Sequence, residues 1–234
     1  MPKKKSIQLY ADGLNLDEFG KDYSIEIDGY TFNPSIFRKN GAKNYLEYSK
    51  KVVSKSENKP ISLEVFADDK NEMIKQAKIL SGLSNNVYVK IPITFTNGQF
   101  TTEVLIELVK LKIKLNITAI FTIDQIKEIL PHLKNSNSIL SVFAGRIFDC
   151  GKDANKNMKD ICDYVNANSN CKVLWASPRM AYDYINAINC GAQIITMQLS
   201  QIKKLKMFKK NLSDYSLETA KQFYNDAKES GYKL

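Results

Sequence analysis

Arginine and histidine are scarce in this sequence. Only three of its 34 basic residues are arginines and its single histidine is His132, although the net charge is +9 at pH 7. The positive charge comes from lysines spread over nearly every segment, whereas nucleic-acid-binding surfaces cluster their basic residues and interleave them with exposed aromatic side chains. We therefore expect no nucleic-acid partner.

Metal-binding and disulfide motifs are also lacking. The four cysteines form no C-x-x-C pair, and His132, which we place on a helix surface, has no partner in an H-E-x-x-H pattern. Pairs at these spacings are typical of zinc sites, and regularly spaced cysteines are typical of disulfide frameworks. We expect no metal, no cofactor and reduced thiols, as in a cytoplasmic protein.

Long apolar runs and glycine-rich phosphate loops are missing as well. No apolar run reaches the roughly 18 residues that span a membrane, and the basic start of the chain precedes a predicted strand and no apolar signal segment. Neither G-x-G-x-x-G nor G-x-x-x-x-G-K-S/T occurs. We expect no membrane contact and no secretory signal.

Short apolar segments alternate with helical segments along the whole chain. Strands are predicted at residues 6–11, 25–31, 60–66, 87–92, 115–121, 139–143, 172–176 and 193–197. Eight such units predict one (β/α)8 barrel domain, a TIM barrel, over residues 1–234, with an additional C-terminal helix at about residues 216–231. An open doubly wound sheet is the alternative, but such sheets usually carry the missing glycine-rich loop.

The most informative segment is Val87–Pro92, an apolar, β-branched run that ends in proline and predicts a buried strand. A lysine in its middle, Lys90, is unexpected there because a buried ammonium loses its hydration. A desolvated amine can be neutral near pH 7 and can attack a ketone carbonyl to form a Schiff base. The alternative is a lysine whose ammonium extends to solvent at the strand end.

Polar side chains recur at the carboxyl ends of the predicted strands, where barrel enzymes carry their chemistry. Seven of the eight strands contribute: Asp12, Asn33, Glu64, Lys90, Asn116 with Thr118, Ser141 with Arg146, and Ser177 with Arg179. Val, Ile and Leu normally fill a barrel interior, so packing does not explain so many polar groups at one end. For each Asn or Ser alone, ordinary hydrogen bonding at a turn or helix cap is the simpler explanation.

Seven segments resemble, in order and spacing, the successive motifs of the transaldolase family. They are Leu9–Asp12, Thr31–Ser35, Leu63–Val65, Val89–Pro92, Leu115–Phe121, Ser141–Arg146 and Ala176–Arg179. The resemblance implies a class I aldolase on a (β/α)8 barrel. Such an enzyme transfers a dihydroxyacetone unit from a ketose phosphate to an aldose phosphate without a metal.

The resemblance also implies residue roles. Lys90 corresponds to the Schiff-base lysine, and Asp12 to the acid/base group that exchanges a proton with the C4 hydroxyl of the sugar. Glu64 and Thr118 correspond to the pair that holds the proton-shuttling water. The substrate-binding positions correspond to Asn33, Asn116, Ser141 and Phe143 around the dihydroxyacetone unit and to Arg146, Ser177 and Arg179 at the phosphate.

The rarity of arginine supports the phosphate positions. Two of the three arginines, Arg146 and Arg179, fall there, and arginine binds phosphate through a bidentate fork that lysine lacks. The alternative is that these arginines bind carbonyl groups at the barrel rim. We place the third, Arg38, on a helix surface.

Departures from the family pattern lie beside the site and leave every catalytic group in place. They are Gly13 with Leu14, Phe32, Val142, Phe148, Trp175 and Pro178. The related fructose-6-phosphate aldolases typically have Gln at the position of Glu64 and Tyr at that of Phe143, so we expect transfer and treat release of free dihydroxyacetone as the alternative. A catalytically inactive barrel with a binding role is a third possibility.

The predicted C-terminal helix carries an apolar stripe formed by Ala220, Phe223, Tyr224 and Ala227. This stripe can pack on the barrel's own outer face. Short family members that this chain resembles instead use such a helix to reach a neighbouring subunit, in rings of five that stack into decamers. We expect a homo-oligomer, either a pentamer or a decamer.

Overall fold

The strands form a closed parallel barrel in the computed structural model, which describes residues 7–233. Within that range the strands are β1 (Gln8–Asp12), β2 (Gly29–Thr31), β3 (Ile61–Glu64), β4 (Val87–Pro92), β5 (Leu115–Ile120), β6 (Ile139–Val142), β7 (Lys172–Trp175) and β8 (Ile194–Met197). Each strand pairs with the next, and β8 pairs with β1. The predicted (β/α)8 barrel is confirmed, while residue 6 of the first predicted strand lies outside the described residues.

Helices follow each strand except β1 within the described residues, and they surround the barrel. Within the described residues they are α1 (Pro34–Lys39), α2 (Tyr45–Lys55), α3 (Lys70–Ser81), α4 (Thr102–Lys110), α5 (Ile123–Leu133), α6 (Ala144–Asp149), α7 (Ala154–Asn168), α8 (Asp183–Cys190), α9 (Leu199–Lys204) and α10 (Leu212–Ser230). Side-chain oxygens of Asn44, Asp69, Thr122 and Asp153 accept from the first free backbone N–H groups of α2, α3, α5 and α7. These caps explain where the four helices begin.

The barrel interior has an apolar layer beneath a polar one. Side chains alternate along each strand, so residues two apart share a face. Tyr10, Ile139, Leu174 and Ile194 pack together as a cluster separate from the larger core between strands and helices. Gly29 makes room for this cluster, since a Cβ there would lie 2.7 Å from the Tyr10 ring. Two residues further along β1, β6 and β8, the interior becomes polar, with Asp12, Ser141 and Thr196.

Several boundaries differ from the sequence prediction. The helical stretch predicted from residue 33 through residue 53 is two helices, because Gly41 adopts a φ of +79°, a left-handed conformation that ends α-helices. Strand β2 begins only at Gly29. The Leu9 N–H of β1 donates to the Asp28 carboxylate at 2.8 Å, so it does not bond to the backbone of the residues before Gly29. Helix α6 is absent from the prediction, and α10 is longer at its start than predicted.

The C-terminal helix α10 does not pack against the barrel. None of its residues is buried, and the apolar side chains of Leu217, Phe223 and Tyr224 are more than half exposed. The first explanation for its stripe, that it covers the barrel's own outer face, is therefore wrong. No helix among the described residues is long and apolar enough to cross a membrane.

Candidate active site

The polar layer lines a cavity of about 160 Å³ at the carboxyl ends of the strands. Nine of the predicted site residues line it: Asp12, Asn33, Lys90, Thr118, Ser141, Phe143, Arg146, Ser177 and Arg179. The other two, Glu64 and Asn116, do not line this cavity but contact residues that do. The structure therefore brings the predicted residues together at one end of the barrel.

Lys90 points into the barrel from the middle of β4 and is only 7% exposed. Its Nζ lies 2.8 Å from Oε2 of Glu64 and donates to the Phe32 carbonyl oxygen at 3.3 Å. Glu64 is its direct neighbour in the register between β3 and β4. Lys90 is thus a buried member of an ion pair and does not extend into bulk solvent.

Asp12 ends β1 on the same side of the barrel. Its Oδ1 accepts a 2.6 Å hydrogen bond from the Thr31 hydroxyl, which shares another 2.6 Å hydrogen bond with the Thr196 hydroxyl. Burial raises the pKa of Asp12, and the Thr31 hydrogen bond and the Lys90 charge oppose that shift only in part. A carboxyl group with a raised pKa can both accept and return a proton near neutral pH.

Asn116 is fully buried between two serines. Its Nδ2 donates to the Ser62 hydroxyl at 3.0 Å, and its Oδ1 accepts from the Ser141 hydroxyl at 2.6 Å. Both ends of the amide are therefore bonded within the protein.

Asn33 both lines the cavity and caps a helix. Its Oδ1 accepts from the Ile36 N–H at 2.9 Å at the start of α1.

The two predicted phosphate-binding arginines differ in their contacts. Arg146, on α6, lies over the Phe143 ring at 5.2 Å. Arg179, after β7, donates from Nε to Asp149 Oδ1 at 2.9 Å and from Nη2 to the other carboxylate oxygen. These hydrogen bonds lower the pKa of Asp149. One of the two guanidinium forks is therefore already paired with a carboxylate, which the sequence did not indicate.

A buried carboxylate fixes the backbone of the loop that carries Ser177 and Arg179. Asp183 is fully buried, and its Oδ2 accepts from the backbone N–H groups of Arg179 at 2.6 Å and Met180 at 3.1 Å. Ser177 itself has a φ of +60°. Such a left-handed conformation is uncommon for a non-glycine residue and persists where its surroundings enforce it.

Two of the sequence departures pack on each other. The Phe148 and Trp175 rings lie 6.2 Å apart, and Trp175 is fully buried. The two aromatic departures from the family pattern therefore form a single ring–ring contact. Pro178, a third departure, lines the cavity beside the arginines.

Sequence reasoning missed several residues at the site. Thr31, Thr196, Gln198 and Gln201 also line the cavity. Thr196 and Gln198 lie two residues apart on and after β8, so the side-chain alternation that selected the other strands could have identified them. Gln201 fixes the rim by donating to the Pro178 carbonyl at 2.9 Å. Among the described residues, no cluster of three or more His, Cys, Asp or Glu side chains could hold a metal ion.

Comparison with known proteins assigns the chain to a family. The family model described as "Transaldolase/Fructose-6-phosphate aldolase" matches residues 9–234. The chain belongs to this family. A protein of Thermoanaerobacter sp. (strain X514) named "Probable transaldolase" is 30% identical over 97% of this chain and 100% of its own length. Another of that name, from Leptospira biflexa, is 32% identical over 95% of this chain and 98% of its own.

Solved structures support the fold. An N-acetylneuraminate lyase from Mycoplasma synoviae superposes with a TM-score of 0.57 at 14% identity, covering 95% of this chain and 81% of the lyase. A "putative isomerase" from Sinorhizobium meliloti gives a TM-score of 0.60 at 10% identity, with 87% of this chain matched to 54% of that longer one. At these identities the likeness concerns the barrel alone. The family and the names of its relatives support an aldolase-type enzyme.

Proposed function

We propose that this protein is a transaldolase that transfers a dihydroxyacetone unit from a ketose phosphate to an aldose phosphate through a Schiff base on Lys90. The observation that carries the proposal is the contact of buried Lys90 with partly buried Glu64, 2.8 Å apart, in a barrel interior that also contains the partly buried carboxyl group of Asp12. A buried amine with a carboxylate in contact and a second carboxyl nearby has the groups that imine formation and carbon–carbon cleavage need.

The first steps form the iminium. Glu64 takes a proton from the Lys90 ammonium, and the free amine attacks the ketose carbonyl to give a carbinolamine. Glu64 then returns a proton to the carbinolamine hydroxyl, which leaves as water. Thr118, buried on β5 and lining the cavity, holds this water together with Glu64.

Cleavage then uses Asp12. Its carboxylate removes the proton of the C4 hydroxyl while the C3–C4 bond breaks, and the iminium accepts the electron pair to become an enamine. The aldose phosphate leaves. An acceptor aldose phosphate binds, the enamine attacks its aldehyde carbon, and Asp12 returns the proton to the new hydroxyl. The reverse of the first steps frees the product ketose from Lys90.

The phosphate binds on the side of the cavity that is formed by α6 and by the loop after β7. Arg146 has its guanidinium over Phe143, and Ser177 presents its hydroxyl from a fixed loop. Arg179 contributes the guanidinium N–H groups that Asp149 leaves free, since arginine has five such donors and the carboxylate uses two. Bidentate arginine contacts favour a phosphate over a neutral hydroxymethyl group.

The second candidate function is the release of free dihydroxyacetone, as in the fructose-6-phosphate aldolases of the same family. Phe143 favours transfer, because it has no hydroxyl that could orient a water molecule at the imine. Its ring packs against Phe121, with 5.8 Å between the ring centroids. We expect fructose 6-phosphate alone to yield little dihydroxyacetone, and addition of an aldose phosphate to yield a new ketose phosphate. Phe143→Tyr should increase release. Rapid release without an acceptor would favour the aldolase, and no reaction in either assay would favour an inactive barrel.

A further inference from the structure

A tyrosine from outside the cavity satisfies both backbone groups of Glu64. Tyr45, the first residue of α2, donates its hydroxyl proton to the Glu64 carbonyl oxygen at 2.6 Å and accepts from the Glu64 N–H at 3.1 Å. Its side chain is partly buried. One phenol oxygen thus takes the place of a neighbouring strand at the end of β3.

The reason lies in how the β2–β3 ladder ends. The Tyr30 N–H donates to the Pro60 carbonyl at 2.8 Å, and the Phe32 N–H donates to the Ser62 carbonyl at 3.0 Å. In a parallel ladder the next two bonds would join the Glu64 N–H to the Phe32 carbonyl and the N–H of residue 34 to the Glu64 carbonyl. Residue 34 is Pro34, which has no N–H. The Tyr45 hydroxyl bonds both Glu64 groups instead.

The Tyr45 hydroxyl, by replacing the β2 backbone as the partner of Glu64, changes the surroundings of Lys90. Because the Glu64 N–H is bonded to Tyr45, the Phe32 carbonyl oxygen is available, and it accepts from Lys90 Nζ at 3.3 Å. The same bonds fix the backbone from which the Glu64 carboxylate reaches Lys90 at 2.8 Å. Both acceptors of the Lys90 amine therefore depend on where β3 ends.

We propose that Tyr45 is a positioning residue for the Lys90–Glu64 pair, holding the end of β3 away from Phe32 so that the Phe32 carbonyl and the Glu64 carboxylate both face the amine. The proposal rests on the proposed function, in which Glu64 exchanges protons with Lys90. Tyr45 acts through Glu64 and contacts no reacting atom.

The tyrosine is suited to this task. Its ring is held by Phe37 at 4.7 Å and Phe66 at 5.1 Å between centroids, so the hydroxyl is presented in a fixed place. Burial, followed by the charge of Glu64, raises the pKa of Tyr45, so the hydroxyl keeps its proton and remains a donor. A phenylalanine would keep the packing and lose only the two hydrogen bonds.

The test compares Tyr45→Phe with Tyr48→Phe. Tyr48 lies one turn further along α2, its ring packs on Phe37 at 4.6 Å, and no hydrogen bond joins its hydroxyl to Glu64. In a transfer assay, Tyr45→Phe should lower kcat about tenfold, roughly the effect of losing one hydrogen bond to a charged group, here the contact between Lys90 and Glu64. The KM for fructose 6-phosphate should stay unchanged, because the phosphate contacts lie across the cavity. Tyr48→Phe should match the wild type in both.

Crystal structures of the wild type and Tyr45→Phe supply a readout that does not depend on turnover. In the variant, the Glu64 N–H should bond to the Phe32 carbonyl, and the Glu64 carboxylate should lie more than 4 Å from Lys90 Nζ, the outer limit of an ion pair. An unchanged Lys90–Glu64 contact, or equal losses of kcat in the two variants, would overturn the proposal. A wild type that forms no imine would refute the proposed function, and the two crystal structures would still decide the role of Tyr45.

Discussion

The Ser177 carbonyl oxygen lies 1.6 Å from the point where a side chain on Gly145 would begin. Gly145 precedes Arg146 on α6, and Ser177 precedes the arginine of the next loop, Arg179. The two segments that carry the proposed phosphate contacts are therefore packed backbone against backbone. Only glycine permits this approach.

Gly145→Ala should consequently impair phosphate binding. The added methyl group must push the Ser177 carbonyl away, which moves the Ser177 hydroxyl and the backbone of Arg179. We expect the KM for fructose 6-phosphate to rise about tenfold, a loss of roughly one phosphate contact. Steady-state kinetics measures this, with Gly82→Ala as the control, because the nearest atom to a Cβ there is a carbonyl oxygen at 3.3 Å. Equal KM values for Gly145→Ala and the control would contradict the account.

Asp12→Asn should stabilise the protein at neutral pH while slowing cleavage severely. Burial raises the pKa of Asp12 in the folded state, so the folded protein holds this proton more tightly than the unfolded chain, whose aspartate pKa is about 3.9. Stability is therefore lost as pH rises from about 4 through the folded-state pKa. An asparagine can still accept from Thr31 and carries no charge to desolvate.

Thermal melting over a pH series measures this effect. The asparagine variant should melt at a higher temperature than the wild type near neutral pH, and the difference should shrink as the pH approaches about 4. The catalytic loss should be about 10²- to 10⁴-fold, as for other positioned acid/base groups. A variant that is less stable than the wild type at neutral pH would show that Asp12 does not bear a desolvation cost.

The C-terminal helix α10 should mediate self-association. An amphipathic helix of 19 residues without a single buried side chain exposes apolar area that a partner surface would cover. We expect light scattering to give the mass of a homo-oligomer, a pentamer or a decamer, for the intact chain. Deletion of residues 212–234 should reduce it to smaller species. A monomer mass for the intact chain would rule out this role without affecting the catalytic proposal.

Periodicity predicts the barrel, and the strand-end positions together with the resemblance to the transaldolase family predict most of the candidate site. Lys90 was conspicuous because it interrupts a buried apolar strand, and strand-end polar residues follow from parallel topology. Thr196 is not among the predicted site residues, although β8 has the same side-chain alternation as the other strands. The contact between β1, β2 and β8 through Thr31 and Thr196 joins residues 165 positions apart.

Other features depend on backbone geometry that composition does not encode. The ion pair of Arg179 with Asp149 requires α6, a helix of six residues too short to show helical periodicity. The link from Tyr45 to Glu64 depends on where the β2–β3 ladder stops. The exposure of α10 was also unpredictable, because an apolar stripe has the same spacing whether a barrel or a second subunit covers it.

The most direct test of the central claim is borohydride trapping with fructose 6-phosphate, followed by mass spectrometry of the digested protein. Reduction of an imine leaves a stable secondary amine at the lysine that formed it. We predict the label on Lys90 and its complete loss in a Lys90→Ala variant that keeps the wild-type circular dichroism spectrum. A label on another lysine, together with continued transfer activity in Lys90→Ala, would contradict the account.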